Sequence, residues 1–91
     1  MQRREAAYSW IGSKKHGIDF FEAATVFDDP NAVSAYDDEH SHDEDRFVII
    51  GMSENMRMLI VCHCFRVNGN FIRIISPRKA KKMETMLYGG A

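Results

Sequence analysis

Seven basic side chains and no carboxylates occur between Arg57 and Met83, although the whole 91-residue chain has a formal net charge of −1. A guanidinium group holds two phosphate oxygens at once, and an ammonium group attracts them as a point charge. The pattern therefore indicates a surface that binds an anion such as a phosphodiester. The bases are Arg57, Arg66, Arg73, Arg78, Lys79, Lys81 and Lys82.

Arg66 and Arg73 are predicted to lie together on a β-hairpin. Two apolar, β-branched runs, 58–67 and 71–76, flank Asn68-Gly69-Asn70, which is typical of a tight turn. A two-residue turn puts odd positions of one strand beside even positions of the other. The core face then carries Leu59, Val61, His63, Phe65, Ile72, Ile74 and Ser76, and the other face carries Met58, Ile60, Cys62, Cys64, Arg66, Phe71, Arg73 and Ile75.

Two nearby arginines repel each other unless they face water or share an anion. Ordinary solvated arginines are the commoner case, but a predicted helix strengthens the anion hypothesis. Ser76 is a natural N-cap and Pro77 suits the first helical position, while Gly89-Gly90 would end the helix. We therefore expect Arg78 and Lys79 in a first helical turn, whose free N–H groups also attract phosphate.

The chain's histidines and cysteines admit several interpretations. His63 falls among apolar positions, which favours a hydrogen-bonded core residue, but a three-residue turn would move it to the arginine face. Cys62 and Cys64 are expected to be reduced packing residues, since two cysteines form no disulfide framework. His40 and His42 lie among six carboxylates between Asp37 and Asp45, and we interpret this segment as an extended, solvated loop. A metal site there is the weaker alternative.

The remaining elements predict an α+β domain with a small antiparallel sheet of about four strands and helices packed on one face. Asp19 and Glu22 form a predicted capping box for a short helix that ends at Asp28-Asp29-Pro30. Strands are expected at 31–36 and 46–53 in addition to the hairpin. One domain spans residues 1–91, and residues 1–13 give the weakest signals. No secretory signal or membrane span is recognisable, so we expect a cytoplasmic protein.

The order and spacing of several short strings resemble the BrnT toxins of prokaryotic type II toxin–antitoxin modules. The strings are Lys15-His16-Gly17; Phe20 or Phe21 leading into Glu22-Ala23-Ala24 and 26–30; Asp38 with His40-Ser41; Glu44 to Arg46-Phe47; Gly51-Met52-Ser53; and 73–76 with Arg78, Ala80, Glu84 and Tyr88. Each string is weak alone, and together they cover residues 14–88.

The resemblance implies a fold similar to RelE-type ribonucleases and an activity that arrests growth by cleaving RNA. It also implies a ribbon-helix-helix antitoxin of the BrnA type, with two toxins and two antitoxins in one assembly. The antitoxin would contact operator DNA, and the toxin would reach that DNA only through it. No membrane partner is expected.

The expected chemistry is cleavage by the RNA's own 2′-hydroxyl, without metal or cofactor, in which the protein mainly stabilises the extra negative charge. Arg46, Arg73 and Arg78 are the predicted transition-state contacts, and Arg66, Lys79 and Lys82 are the predicted RNA-backbone contacts. Two residues are candidates for the general base: His63 because of its imidazole and Glu44 because of its position. The alternative function is an inactive toxin homologue that only binds antitoxin or nucleic acid.

Overall fold

Apolar, β-branched runs form the long strands of the protein, as a computed structural model shows for residues 7–10, 12 and 14–90. The predictions for residues 1–6, Ile11 and Ser13 lie outside the described residues. The strands are β1 (Ala7–Ser9), β2 (Lys14–Lys15), β3 (Ile18–Asp19), β4 (Val33–Tyr36), β5 (Phe47–Met52), β6 (Met58–Arg66) and β7 (Phe71–Lys79), with one short helix, α1 (Phe20–Thr25).

The main sheet has five strands in the order β1-β7-β6-β5-β4, and β2 and β3 pair separately. Strands β4 to β7 run antiparallel to their neighbours, whereas β1 is parallel to β7. The α+β class is therefore confirmed, but the sheet is mixed and larger than the antiparallel sheet of about four strands that we predicted. Tyr8, in the segment with the weakest sequence signals, lies in strand β1, and the strand predicted at 31–36 forms at Val33–Tyr36 on one edge of the sheet.

The hairpin between β6 and β7 forms as predicted at its tip. Asn68 and Gly69 both have positive φ, 55° and 85°, which is the backbone of the two-residue turn expected for Asn-Gly. From Arg66–Phe71 to His63–Ile74, facing residue numbers sum to an odd number. Phe65 and Ile72 therefore share one face, and Cys64 and Arg73 share the other.

A register shift between Cys62 and His63 changes the faces beyond that point. His63 faces Ile74 and Cys62 faces Ser76, so Ile75 is one extra residue in β7, a β-bulge. The predicted core position of Ser76 is therefore wrong: Ser76 pairs with Cys62 on the outer face, and buried Pro77 pairs with Val61 on the core face.

The helix predicted to begin at Ser76-Pro77 is also wrong, because β7 continues to Lys79. The long strand β6 pairs with β7 as far as Leu59 opposite Lys79. Within the described residues, β1 pairs with 71–73 and no strand pairs with β7 beside Pro77 on that edge, where a missing N–H is tolerated. The chain becomes helical only at a 3₁₀ segment, Glu84–Gly90, so Arg78 and Lys79 lie in β7 and not in a first helical turn.

Helix α1 packs its apolar side on the core face of the sheet. The Asp19 carboxylate caps it by accepting a hydrogen bond from the Phe21 N–H at 2.6 Å. A 3₁₀ turn, Val26–Asp28, follows α1 and ends close to where Asp29-Pro30 predicts. The core cluster consists of Ile18, Phe20, Ala23, Ala24, Val26, Phe27, Ile49, Leu59, Val61, Ile72 and Ile74.

Glu22 does not complete the predicted capping box, because its carboxylate is buried and binds two distant residues. It accepts hydrogen bonds from the Arg57 guanidinium, with Arg57 Nε at 2.9 Å, and from Ser53 Oγ at 2.6 Å. The hydrogen bond from Arg57, with a smaller contribution from Ser53, lowers the pKa of Glu22 to about 2 against the opposing effect of burial. This ion pair ties α1 to the segment between β5 and β6.

We expect Glu22→Gln to lower the free energy of unfolding by about 2 kcal/mol at pH 7, because it leaves buried hydrogen-bonding groups poorly matched. The folded pKa of about 2 lies below the ordinary value of 4.5, so the ion pair stabilises the fold above pH 4.5 and is lost as pH falls towards 2. Urea unfolding at pH 7 and pH 3 measures both effects. The control is Glu54→Gln, which removes an exposed carboxylate; an equal loss in this variant would contradict the assignment.

Candidate functional site: a cationic cleft

A cleft of about 420 Å³ lies on the face of the sheet opposite α1. The floor is formed by outward-facing residues of three adjacent strands, including Val48, Ile60 and Cys62. Its walls come from the loop between β4 and β5 and from β2. The complete lining is Lys15, Asp37, Glu39, His40, Arg46, Val48, Ile60, Cys62, Ile75, Ser76 and Arg78.

Arg78 reaches this cleft because of the β-bulge. It faces Ile60 across the hairpin and therefore lies on the same face as Cys62 and Ser76. Without the extra residue, Arg78 would continue the odd-sum register and face Leu59, whose side chain is fully buried in the core. The bulge thus moves Arg78 from a core-facing position to one in which it lines the cleft.

Glu84 holds Arg78 in a bidentate ion pair. Arg78 Nη1 donates to Glu84 Oε1 at 2.8 Å, and Nη2 donates to Oε2 at 2.7 Å. This pairing, with a hydrogen bond from the Lys81 N–H, lowers the pKa of Glu84 to about 2. Glu84 is therefore ionised at neutral pH, so Arg78 is oriented and partly neutralised in this structure.

The C-terminal 3₁₀ segment that supplies Glu84 is fixed to the fold near its other end. The Tyr88 hydroxyl donates to Asp29 Oδ2 at 2.6 Å, and the Gly89 N–H donates to the Asn31 carbonyl at 3.2 Å. The hydrogen bond to Asp29 raises the pKa of Tyr88. These contacts place Glu84 beside the end of β7.

Arg46 is the second arginine of the cleft, and it lies near Glu44. Arg46 Nε is buried, has no hydrogen-bond partner among the described residues, and lies 3.7 Å from Glu44 Oε2. Arg66 Nη2 lies 3.0 Å from Glu44 Oε1. Glu44 therefore links a cleft arginine to a hairpin arginine, and Arg46 keeps an unused donor close to the cleft.

A compact set of hydrogen bonds positions Arg46 and His40. The Asp37 N–H donates to the Arg46 carbonyl at 2.9 Å. Ser41 Oγ donates to the Asp37 carbonyl at 2.6 Å and accepts from the Arg46 N–H at 2.9 Å. The predicted extended loop is therefore wrong: residues 37–46 form a closed loop whose carboxylates are partly paired with Arg46, Arg66 and His40.

His40 and Asp37 form a hydrogen-bonded pair on the rim of the cleft. His40 Nδ1 lies 2.9 Å from Asp37 Oδ2, and the His40 side chain is 58% exposed whereas that of Asp37 is 14% exposed. A carboxylate that accepts a hydrogen bond from the Nδ1–H favours the tautomer in which Nε2 carries the lone pair. The cleft thus contains an oriented imidazole beside cationic groups.

His63 lies in the core and not in the cleft. Its ring is 1% exposed, packs edge-on against Phe27, and has Nδ1 3.0 Å from the Val61 carbonyl. Burial lowers the pKa of His63, with a smaller opposing effect from the hydrogen bond to Val61. The core interpretation of this histidine is confirmed.

The structure brings only part of the predicted site together. Arg46 and Arg78 line the cleft, whereas Arg73 lies farther along the same face of β7, opposite Cys64. Lys79 and Lys82 are exposed at the far end of β7 and in the turn after it. Sequence reasoning missed Lys15, Asp37 and His40. The D-x-x-H spacing was the available signal for the last two residues, since it suits a side-chain pair in a tight loop.

The described residues contain no group of three or more His, Cys, Asp or Glu side chains arranged to hold a metal ion. Within the same residues, no helix has the length and apolar character needed to span a bilayer.

The site is therefore a cleft in a small α+β domain, lined by two arginines, one lysine and one histidine together with two carboxylates. A model of the family described as "Ribonuclease toxin, BrnT, of type II toxin-antitoxin system" matches residues 7–84. The chain belongs to this family and is a toxin of a type II toxin–antitoxin system, so it has an antitoxin partner. A search of curated proteins finds no match.

Replacing Ser41 by alanine is expected to loosen the 37–46 loop, because the Arg46 N–H and the Asp37 carbonyl lose their shared partner. We expect a loss of about 1 kcal/mol in the free energy of unfolding and faster amide hydrogen exchange at Arg46. Ser34→Ala, on the exposed edge strand β4, is the control. Unchanged exchange at Arg46 in Ser41→Ala would show that this hydroxyl does not hold the loop.

Proposed function

We propose that the protein is an endoribonuclease that cleaves RNA without a metal or cofactor and thereby arrests growth. The supporting observation is that Arg46, Arg78 and Lys15 meet in one cleft on a rigid sheet. The volume of about 420 Å³ lies within the range of small-ligand sites. A phosphodiester in this cleft would contact guanidinium and ammonium donors on more than one side.

The proposed reaction is an in-line attack by the RNA 2′-hydroxyl on the adjacent phosphorus. The bond from the 2′-oxygen to phosphorus forms and the bond to the 5′-oxygen breaks, giving a cyclic phosphate and a 5′-hydroxyl. Negative charge grows on the equatorial phosphate oxygens, where preorganised donors stabilise the transition state more than the ground state. Arg46 and Arg78 supply these donors in the proposal, and Glu84 orients Arg78 until the substrate competes for it.

Arg73 and Arg66 extend the proposed RNA path from the cleft towards the hairpin turn. Both lie on the cleft side of the hairpin, and each strand contributes one of them. Lys82, in the turn after β7, would contact the backbone at the opposite end, whereas Lys79 pairs with Leu59 on the core face of the sheet and is left out of this path. We assign Glu44 the task of holding Arg46 and Arg66, with proton transfer as its alternative role, and we leave His63 out of the chemistry because its ring is buried.

The proposed partner is a ribbon-helix-helix antitoxin of the BrnA type, in an assembly of two toxins and two antitoxins. The antitoxin would carry the contact with operator DNA. The proposed fold relationship is to RelE-like ribonucleases. Family membership supports both the antitoxin partner and this fold relationship.

One observation favours a second candidate function, a toxin homologue that binds RNA or antitoxin without cleaving RNA. Both cleft arginines already have a carboxylate nearby, since Glu84 pairs with Arg78 and Glu44 lies beside Arg46. Paired guanidinium groups stabilise an incoming charge less than free ones. Salt-sensitive RNA binding without turnover identifies this second function.

Arg46→Ala is expected to lower kcat/KM for RNA cleavage by about 100-fold or more, as the loss of one preorganised donor does in other enzymes. Expression of the intact chain without antitoxin should stop growth, and this variant should relieve the arrest. Lys14→Ala is the charge-matched control, because Lys14 is exposed and does not line the cleft. Equal cleavage by wild type and Arg46→Ala would refute the assigned site.

A further inference from the structure

One imidazole lines the cationic cleft, and it comes from the loop that also carries Arg46. His40 lies on the wall of the cleft, and Asp37, on the same wall, is within hydrogen-bond distance of its Nδ1 at 2.9 Å. The Ser41 hydrogen bonds hold this loop closed and place His40 and Arg46 on one cleft. The position of His40 is therefore set by the fold as well as by Asp37.

We propose that His40 is the general base of the RNA cleavage reaction and that Asp37 is its positioning residue; this inference rests on the proposed ribonuclease function. Nδ1 of His40 donates to the Asp37 carboxylate, which leaves the lone pair on Nε2. The arrangement matches the rule that a base is oriented by a third group. Arg46 and Arg78, on the same cleft, then stabilise the phosphate that the activated hydroxyl attacks.

The step transfers one proton to His40 and replaces one phosphorus–oxygen bond by another. Nε2 of His40 takes the proton of the 2′-hydroxyl while the new bond to phosphorus forms. The 5′-oxygen leaves with the electrons of the broken bond and takes a proton from water. His40 then returns its proton to solvent, and the next cycle starts from the neutral imidazole.

The other titratable groups near the cleft fit this task less well. Glu44 lies 3.0 Å from Arg66 and 3.7 Å from Arg46, so both of its oxygens are engaged by guanidinium groups, and it does not line the cleft. Burial raises the pKa of Cys62, with a further contribution from Asp37, so its thiol stays protonated at neutral pH. His63 is enclosed by the core. His40 combines exposure, an orienting partner and a place on the cleft.

The charged surroundings of His40 include both signs. Asp37 and Glu39 place negative charge beside it, and Lys15, Arg46 and Arg78 place positive charge on the same cleft. A bound phosphodiester would add one more negative charge. The titratable and charged groups that line the same cleft are Lys15, Asp37, Glu39, Arg46, Cys62 and Arg78. His40 and Arg46 also line a smaller pocket of about 120 Å³, together with His42, Asp43 and Glu44.

The test compares wild type, His40→Gln, Asp37→Asn and His42→Gln in cleavage of a mixed-sequence RNA labelled at its 5′ end, over a pH series. Binding of the same RNA with 2′-O-methyl groups, which cannot be cleaved, is measured in parallel. We expect His40→Gln to lower kcat by about 100-fold or more, to leave binding within about twofold, and to remove the rise of kcat with pH. Asp37→Asn should lower kcat by about 10-fold. His42→Gln, an exposed histidine in the same loop, should behave as wild type.

A second variant separates loss of the base from loss of the fold. Adding imidazole to His40→Ala should restore part of the cleavage, and the same addition to Arg46→Ala should restore none. If wild type cleaves RNA and His40→Gln keeps both the rate and the pH profile, the general-base assignment is wrong while the ribonuclease function stands. Wild type that binds RNA without cleaving it overturns both proposals.

Discussion

The β-bulge at Ile75 is the constraint on which the rest of the site depends. Because β7 contains one extra residue, the numbers of facing residues in β6 and β7 sum to an odd value as far as His63 and to an even value from Cys62 onward. Side chains alternate across a strand, so a one-residue shift exchanges the two faces. Pro77 enters the core opposite Val61, and Arg78 moves to the outer face beside Ile60. A bulge is a common way to re-aim a side chain near a functional site.

A short loop completes the site that the bulge begins. Ser41 connects the two ends of the 37–46 loop, so His40 and Arg46 are held on the wall of the cleft. Two carboxylates orient the cleft arginines, Glu84 through a bidentate pair with Arg78 and Glu44 beside Arg46. The cleft is therefore cationic but not uniformly so, and its arginines are preorganised. On the other side of the sheet, the ion pair between buried Glu22 and Arg57 ties α1 to the segment between β5 and β6.

The sequence predicted those features that depend on local chemistry. Asn68-Gly69 specifies its turn, Asp19 caps α1, and the β-branched runs form strands, because each depends on neighbouring residues alone. The bulge could not be predicted, since it depends on how β6 and Pro77 pack together. For the same reason Ser76-Pro77 indicated a helix although the long partner strand keeps it extended. Arg46 and Arg78 were recognised as site residues, but His40, Asp37 and Lys15 meet them only through tertiary contacts.

The central claim is that the bulged face of the sheet binds a phosphodiester in the Arg46–Arg78 cleft. The most direct measurement is an NMR titration of the isotope-labelled protein with an RNA oligonucleotide that carries 2′-O-methyl groups and cannot be cleaved. The account predicts that signals of Arg46, Cys62, Ser76 and Arg78 shift together and saturate together, with weaker binding at higher salt. Shifts confined to other surfaces, such as the hairpin turn at 67–70, with an unchanged cleft would contradict it.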